Sequence, residues 1–459
     1  MNQESNRTLQ KTSQQKIDQK REVLLTQPVE KLVLKMAVPT IISMLVTAFY
    51  NAADTFFVGR IGTNSATGAV GIVFAFMAIV QAFGYFFGHG SGNYISRAIG
   101  RKQYDNAAKM AAVGFFSSVI AGFAVMAVGL LFRNRLAMLL GATPSLMEDT
   151  ISYLTIILLG TPYIMTSFVL NNQLRLQGNS IFAMLGLVSG SLLNVILDPI
   201  FIFALDLGVS GAAIATIISQ LIAFLVLFAG CQKSSNVSIR VQNFKPTKAA
   251  YREIAAGGLP SLSRQGLASI ATLILNQMAG GYGDAAIAAF AVVSKLTNIF
   301  GCVVLGFGQG FQPVCGFNYG AGNYSRVKQA AGFSVKIATL FLAVVSVFLF
   351  HFSESAVLFF RSDPAVAAIG SVALRYQCFA FPLLGWVIIM NMFLQNIRKV
   401  VPASILAMAR QGLVFVPVIL LASHWFGLSG ILWAQPISDM ITFLIALPLG
   451  IRHLSHLDT

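Results

Sequence analysis

Charge is scarce in this chain. Only 10% of its 459 residues are Asp, Glu, Lys or Arg, against 56% apolar, too little polar surface to cover a soluble protein of that length. Cysteine is scarce as well: Cys231, Cys302, Cys315 and Cys378 stand apart with no CxxC spacing, which argues against a disulfide framework and a zinc site. No GxxxxGK[ST] loop occurs, so ATP-driven transport has no phosphate cradle. The first 35 residues lack the short apolar core and small-residue cleavage site of a secretory signal. The five histidines, His89, His351, His424, His453 and His456, fall near the ends of apolar runs or in the tail and read as interfacial.

What is present is apolar sequence in long runs. A membrane-spanning helix needs about 20 mainly apolar residues. Runs of that kind lie at 36–58, 66–92, 110–132, 150–172, 181–204, 208–231, 254–279, 285–312, 331–352, 366–394, 401–423 and 428–451, so twelve spans are expected. The net charge of +15 would suit a nucleic-acid binder, but its distribution decides otherwise. Lys and Arg number 22 in the tails and even-numbered loops against 4 in the odd-numbered loops, a positive-inside bias that places both termini in the cytoplasm.

The two halves match at an offset of about 220 residues. Pro39 pairs with Pro260, Gly100 and Tyr104 with Gly320 and Tyr324, Pro162 and Asn171 with Pro382 and Asn391, and LGVSGAAIA (207–215) with FGLSGILWA (426–434). Six spans per repeat is an even number, so both copies enter the membrane in the same direction. The expected fold is therefore an all-α integral membrane protein of twelve helices in two six-helix lobes, related by a pseudo-twofold axis along the membrane normal. The domains expected are a polar tail (1–35), an N-lobe (36–231), a cytoplasmic linker (232–252), a C-lobe (253–452) and a short tail (453–459).

Ionisable groups at membrane depth are costly, about 2.5–3.5 kcal/mol by insertion data, so each asks for a reason. Asp54 ends a polar stripe of Ser43, Thr47, Tyr50 and Asn51 on the first span, spaced by threes and fours. On the fifth span Asn194 and Asp198 are four apart, with Pro199 next to loosen the helix; on the sixth, Thr216 and Gln220 repeat the spacing. All are hard oxygen donors suited to Na⁺ or a proton. The repeat acts as an internal control: Asp54 aligns near Ile274 and Leu275, and Asp198 with Pro417. A carboxylate used only for packing had two chances to appear, and appears in one lobe. The C-terminal half carries Arg264, Lys295, Arg410 and Asp439 instead. Asp439 is expected to pair with Lys295 or Arg410, the alternative being unpaired cations that grip an anionic headgroup.

Segments 28–62 (PVEKLVLKMAVPTIISMLVTAFYNAADTFFVGRIG) and 194–216 (NVILDPIFIFALDLGVSGAAIAT) resemble the multidrug-and-toxin-extrusion family, specifically its branch related to DNA-damage-inducible F transporters. The resemblance extends over roughly 28–452. It implies a secondary active antiporter of the bacterial inner membrane, not an enzyme, exporting amphipathic organic cations in exchange for H⁺ or Na⁺. It further implies a coupling site at Asp54, Asn194, Asp198 and Thr216. A substrate cavity near Tyr50, Asn51, Asn171, Gln220 and Met390, and hinges at Pro39 and Pro260, complete the expectation. No cofactor beyond the coupling ion, no nucleic acid, no ATP and a monomer are expected. The rival readings are a lipid-linked saccharide flippase of the same superfamily and an intramembrane prenyl transferase; the latter would need a second acidic cluster, which the other half lacks.

Overall fold

The computed structural model describes residues 18, 19, 21–62, 64–234, 237 and 239–457. Lipid offers no hydrogen bonds to the backbone, so spanning segments close their own as helices, and the described chain is helical nearly throughout. The elements are α1 (Val29–Gly59), α2 (Asn64–Gly100), α3 (Tyr104–Leu131), α4 (Arg133–Leu139), α5 (Met147–Leu176), α6 (Ser180–Pro199), α7 (Gly208–Ser234) and α8 (Lys248–Gly280). They continue as α9 (Asp284–Gly320), α10 (Tyr324–His351), α11 (Ser353–Phe360), α12 (Pro364–Ala380), α13 (Leu383–Asn396), α14 (Val400–Met408) and α15 (Phe415–Ser455).

These make twelve spans, though three are disguised. α12 and α13 form one span bent by 56° at Phe381 and Pro382, where proline removes a backbone donor. α14 and α15 run almost unbroken from 400 to 455 but turn at Gly427, whose φ of 58° and ψ of −135° are not helical. α8 is long enough to cross but carries Arg264 and Gln265 at its middle and Asn276 and Gln277 near its C-terminal end. The outward face of the bundle is apolar: Phe359 is 86% exposed and Trp425 69%, as a lipid-facing surface requires.

The backbone repeats as the sequence does. Left-handed φ recurs at matched positions: Gly62 and Gly283, Lys102 and Gly322, Gly178 and Arg398, Gly208 and Gly427. Asn171 Nδ2 donates to the Ala183 carbonyl at 2.8 Å, and its repeat mate Asn391 donates to Ala403 at 2.7 Å.

The lobes meet through α1 packed along α9 and α2 along α8. Small residues allow these backbones to touch. A Cβ on Gly310 would lie 2.4 Å from Ala37 Cα, one on Gly90 2.3 Å from the Ile254 carbonyl, and one on Gly258 2.1 Å from that of Phe86. Gly100 meets the Phe317 carbonyl (2.4 Å) while Gly320 meets that of Arg97 (2.2 Å). All these contacts lie in the half of the bundle that carries the termini.

α1 starts at Val29, inside the stretch read as tail, because Lys31 and Lys35 stay at the polar end of an otherwise apolar helix. Residues 1–17 of that tail lie outside the described residues. Between α7 and α8 the described chain forms only a short 3₁₀ turn at Val241–Asn243.

Candidate functional site

Four helices of the N-lobe converge on one polar cluster. α6 packs against both α1 and α7, and α5 packs against α7, which brings Asp54, Asn194, Asp198 and Thr216 together. Asn194, Asp198 and Thr216 are buried, at 2%, 0% and 2% exposure, and Asp54 is half-buried. Asn194 Nδ2 donates to Thr216 Oγ1 at 3.4 Å. Asp54 Oδ1, Asn194 Oδ1 and both carboxylate oxygens of Asp198 are buried with no hydrogen-bond donor. Unpaired buried acceptors are expensive; here they share one spot, with Asp198 facing both Asp54 and Asn194. α6 ends at Pro199 and unwinds into a π turn over Ile200–Ala204, so the helix is loosened just beyond Asp198, a feature common at functional sites.

Tyr50 and Gln220, expected near a substrate cavity, stand at this acidic cluster: the Tyr50 hydroxyl faces Gln220, Asp54 and Asp198. Tyr153, which carried no sequence signal as an aromatic in an apolar run, joins from α5, its hydroxyl at Thr216. Only the packing of α5 on α7 reveals it.

Other expectations need correction. Asn171 is committed to the Ala183 carbonyl and Met390, 0% exposed, packs against Gly450; both are packing residues, because their helix faces point into the lobes. Asn51 is not among the residues that line the C-lobe cavity described below. His89 is not interfacial: it is 2% exposed on α2, stacked on Tyr85, and its Nε2 accepts from Arg175 Nη2 at 3.2 Å. Arg175, counted above as a loop charge, is the last turn of α5 and 1% exposed. It bridges the lobes, donating to the Gln309 carbonyl (2.8 Å) and Gln312 Oε1 (2.7 Å).

A cavity of about 710 Å³ lies in the C-lobe, with Phe74 of α2 as its N-lobe contribution. Arg264, Lys295 and Arg410 stand in its wall. The expected ion pair of Asp439 is with Arg410 (Nε to Oδ1, 2.9 Å) and not with Lys295.

On the terminal face the lobes are latched. Arg97 of α2 bonds Glu253 of α8 at 3.2 Å and the Asn396 carbonyl at 2.7 Å, and Glu253 also holds Arg398 at 2.6 Å. The entering chain adds a strap: Arg21 donates to the Gly100 carbonyl, while Asn318 and Arg326 of the C-lobe donate to the Leu24 and Gln27 carbonyls. Pro39 and Pro260 lie inside the continuous helices α1 and α8. Next to Pro39, Thr40 Oγ1 donates to the Gly306 carbonyl at 2.6 Å.

A family model described as MatE matches residues 39–200 and 260–421, its two copies beginning at the paired prolines. The chain is 30% identical over 421 residues to the multidrug export protein MepA of Staphylococcus haemolyticus strain JCSC1435, covering 91% of this chain and 92% of that protein. MepA of Staphylococcus aureus strain MRSA252 is 28% identical over 92% of this chain and 93% of its own length. A solved structure described as the outward-facing conformation of a multidrug resistance MATE family transporter of the MOP superfamily superposes with a TM-score of 0.88. That match has 28% identity over 95% of this chain and 98% of the other.

Proposed function

Because this chain belongs to the MatE family, we propose that it is a multidrug efflux antiporter, exchanging H⁺ or Na⁺ for amphipathic organic cations across the bacterial inner membrane. The observation that carries the reading is the set of four donor-less oxygens on Asp54, Asn194 and Asp198. Either coupling ion relieves some or all of the cost of burying them. A proton on Asp198 makes it a donor to Asp54 or Asn194; a Na⁺ takes the same oxygens, with Thr216 beside them, as hard ligands. Two carboxylates side by side away from water resist joint ionisation, so the cluster favours holding a cation over standing empty.

Coupling follows from geometry. Asp54 and Pro39 share α1, so the cation's arrival at one end acts on a helix whose other end packs against α9. The Arg97–Glu253–Arg398 latch holds the terminal face shut. With the termini cytoplasmic, as the Lys and Arg distribution argues, this is the outward-facing state. One charge crossing about 100 mV supplies about 2.3 kcal/mol, enough to shift a two-state equilibrium more than tenfold.

The test is ethidium efflux from proteoliposomes under an imposed pH or Na⁺ gradient. Wild type should export, and Asp54→Asn and Asp198→Asn should each lose gradient-driven export while still folding. Normal export by both variants would remove the N-lobe cluster from the coupling step.

A further inference from the structure

The C-lobe cavity has a charge balance that the proposed exchange leaves unused. Three cations, Arg264, Lys295 and Arg410, stand in its wall, and the carboxylate beside them is already taken. Asp439 receives Arg410 Nε and Gln435 Nε2 on Oδ1, each at 2.9 Å, and Gln377 Nε2 on Oδ2 at 2.8 Å. Among the described residues, neither Arg264 nor Lys295 reaches a carboxylate at ion-pair distance. The cation facing Arg264 is Arg410, and the Tyr85 hydroxyl and the His89 ring also face it.

Depth makes these cations costly. Arg264 is the midpoint of α8 (Lys248–Gly280), and Lys295 lies about 16 Å along α9 at 1.5 Å per residue. A cation at such depth is retained where it has a counter-charge or a water-filled cavity to face. The rest of the wall includes Phe290, Phe381 and Leu384, surface for a hydrocarbon chain or ring. Arg410 sits in the π turn Ala409–Leu413, an irregularity resembling the one beside Asp198. At an offset of 220 the N-lobe has Met44, Ala75 and Gly190 where the C-lobe has these three cations. A purely structural use would have had two chances to appear, as with the carboxylates.

We propose that this cavity binds the anionic group, phosphate or carboxylate, of an amphiphile, with Arg264 and Lys295 as its charge partners. Gln265 and Asn298, also in the wall, add neutral donors. Arg410, balanced by Asp439, fixes the far side of the site and contributes little net charge. Transported molecules would then include zwitterionic or acidic amphiphiles, and a purely cationic drug would avoid this side of the protein. The inference stands on the cavity itself, whether or not the N-lobe cluster couples an ion.

Equilibrium binding to the full chain in phosphatidylcholine nanodiscs tests it without any gradient, using dodecyl phosphate, inorganic phosphate and dodecyltrimethylammonium as probes. Dodecyl phosphate should bind saturably, and Arg264→Gln and Lys295→Gln should each weaken it about tenfold, the scale of one charged hydrogen bond. Lys109→Gln, at an exposed cation on α3, should leave it unchanged. Inorganic phosphate binding with the same residue dependence would assign the site to a free anion. Competition by phosphatidylglycerol built into the disc would assign it to a lipid headgroup. Unchanged dodecyl phosphate affinity in the two glutamine variants, or tighter binding of dodecyltrimethylammonium than of dodecyl phosphate, would overturn the proposal. If Arg264→Gln does not fold, Lys295→Gln alone decides.

Discussion

An oxygen buried without a donor is a liability unless something visits it, and Asp198, with two such oxygens, is the sharpest case in this protein. Asp198→Asn replaces a charged acceptor with an amide able to donate to Asp54. In the absence of Na⁺ and at alkaline pH, where the cluster has lost its proton, it should therefore raise the thermal midpoint of the detergent-solubilised protein, by about 1–2 kcal/mol of relieved cost. A fall in midpoint would mean that the carboxylate is structurally paired. Tyr153→Phe removes the hydroxyl at Thr216 and should raise the half-saturating Na⁺ or proton concentration for efflux, leaving stability nearly unchanged. Asp439 behaves in the opposite way to Asp198. Its three donors are left unsatisfied by Asp439→Ala, which should destabilise the C-lobe by about 2–3 kcal/mol, read as a lowered unfolding midpoint. The sequence displayed the acidic pair because charges in apolar runs announce themselves. Tyr153 and Arg175 stayed hidden for the converse reason: an aromatic in an apolar run looks like packing, and an arginine at a helix end looks like a loop. The partner of Tyr153 lies 63 residues away along the chain, and the partners of Arg175 in the other lobe lie more than 130 residues away.

At the scale of the helix, most of the architecture was written in hydropathy and in the repeat. The twelve apolar runs correspond to twelve spans, and the offset of about 220 reappears in matched left-handed φ positions. What local pattern missed were the ends and breaks. α2 and α9 run on to Gly100 and Gly320, well past their apolar runs, because their polar last turns are covered by the other lobe and not by water. Which helix faces point inward was equally illegible, so Asn171 and Met390 were misplaced. The repeat predicts equal penalties for equal parts. Asn171→Ala and Asn391→Ala each delete one amide-to-carbonyl bond in the same setting and should lower unfolding midpoints by similar amounts, about 1–2 kcal/mol each. A large difference between them would show that the lobes do not unfold as comparable units.

For the molecule as a whole, the question is how the two lobes exchange one open face for the other. Glu253 joins cations from both lobes, so Glu253→Gln should favour the state open on the terminal face. Spin labels on the terminal ends of α2 and α9 should then report a longer distance by double electron–electron resonance. Gly100→Leu should act in the same direction through bulk, since even a Cβ there would overlap the Phe317 carbonyl. An unaltered distance in both variants would show that the latch and the crossing do not set the resting state. The crossing also bears on the chain's ancestry. Gly100 rests on the C-lobe helix and Gly320 on the N-lobe helix in the same way, the reciprocal pattern of a two-fold interface between identical subunits. A six-helix protein half this size could pair with a second copy of itself through that contact, but every side chain would then occur twice. Joining the copies into one polypeptide is what let acids settle on one side and bases on the other, a division of labour closed to any homodimer.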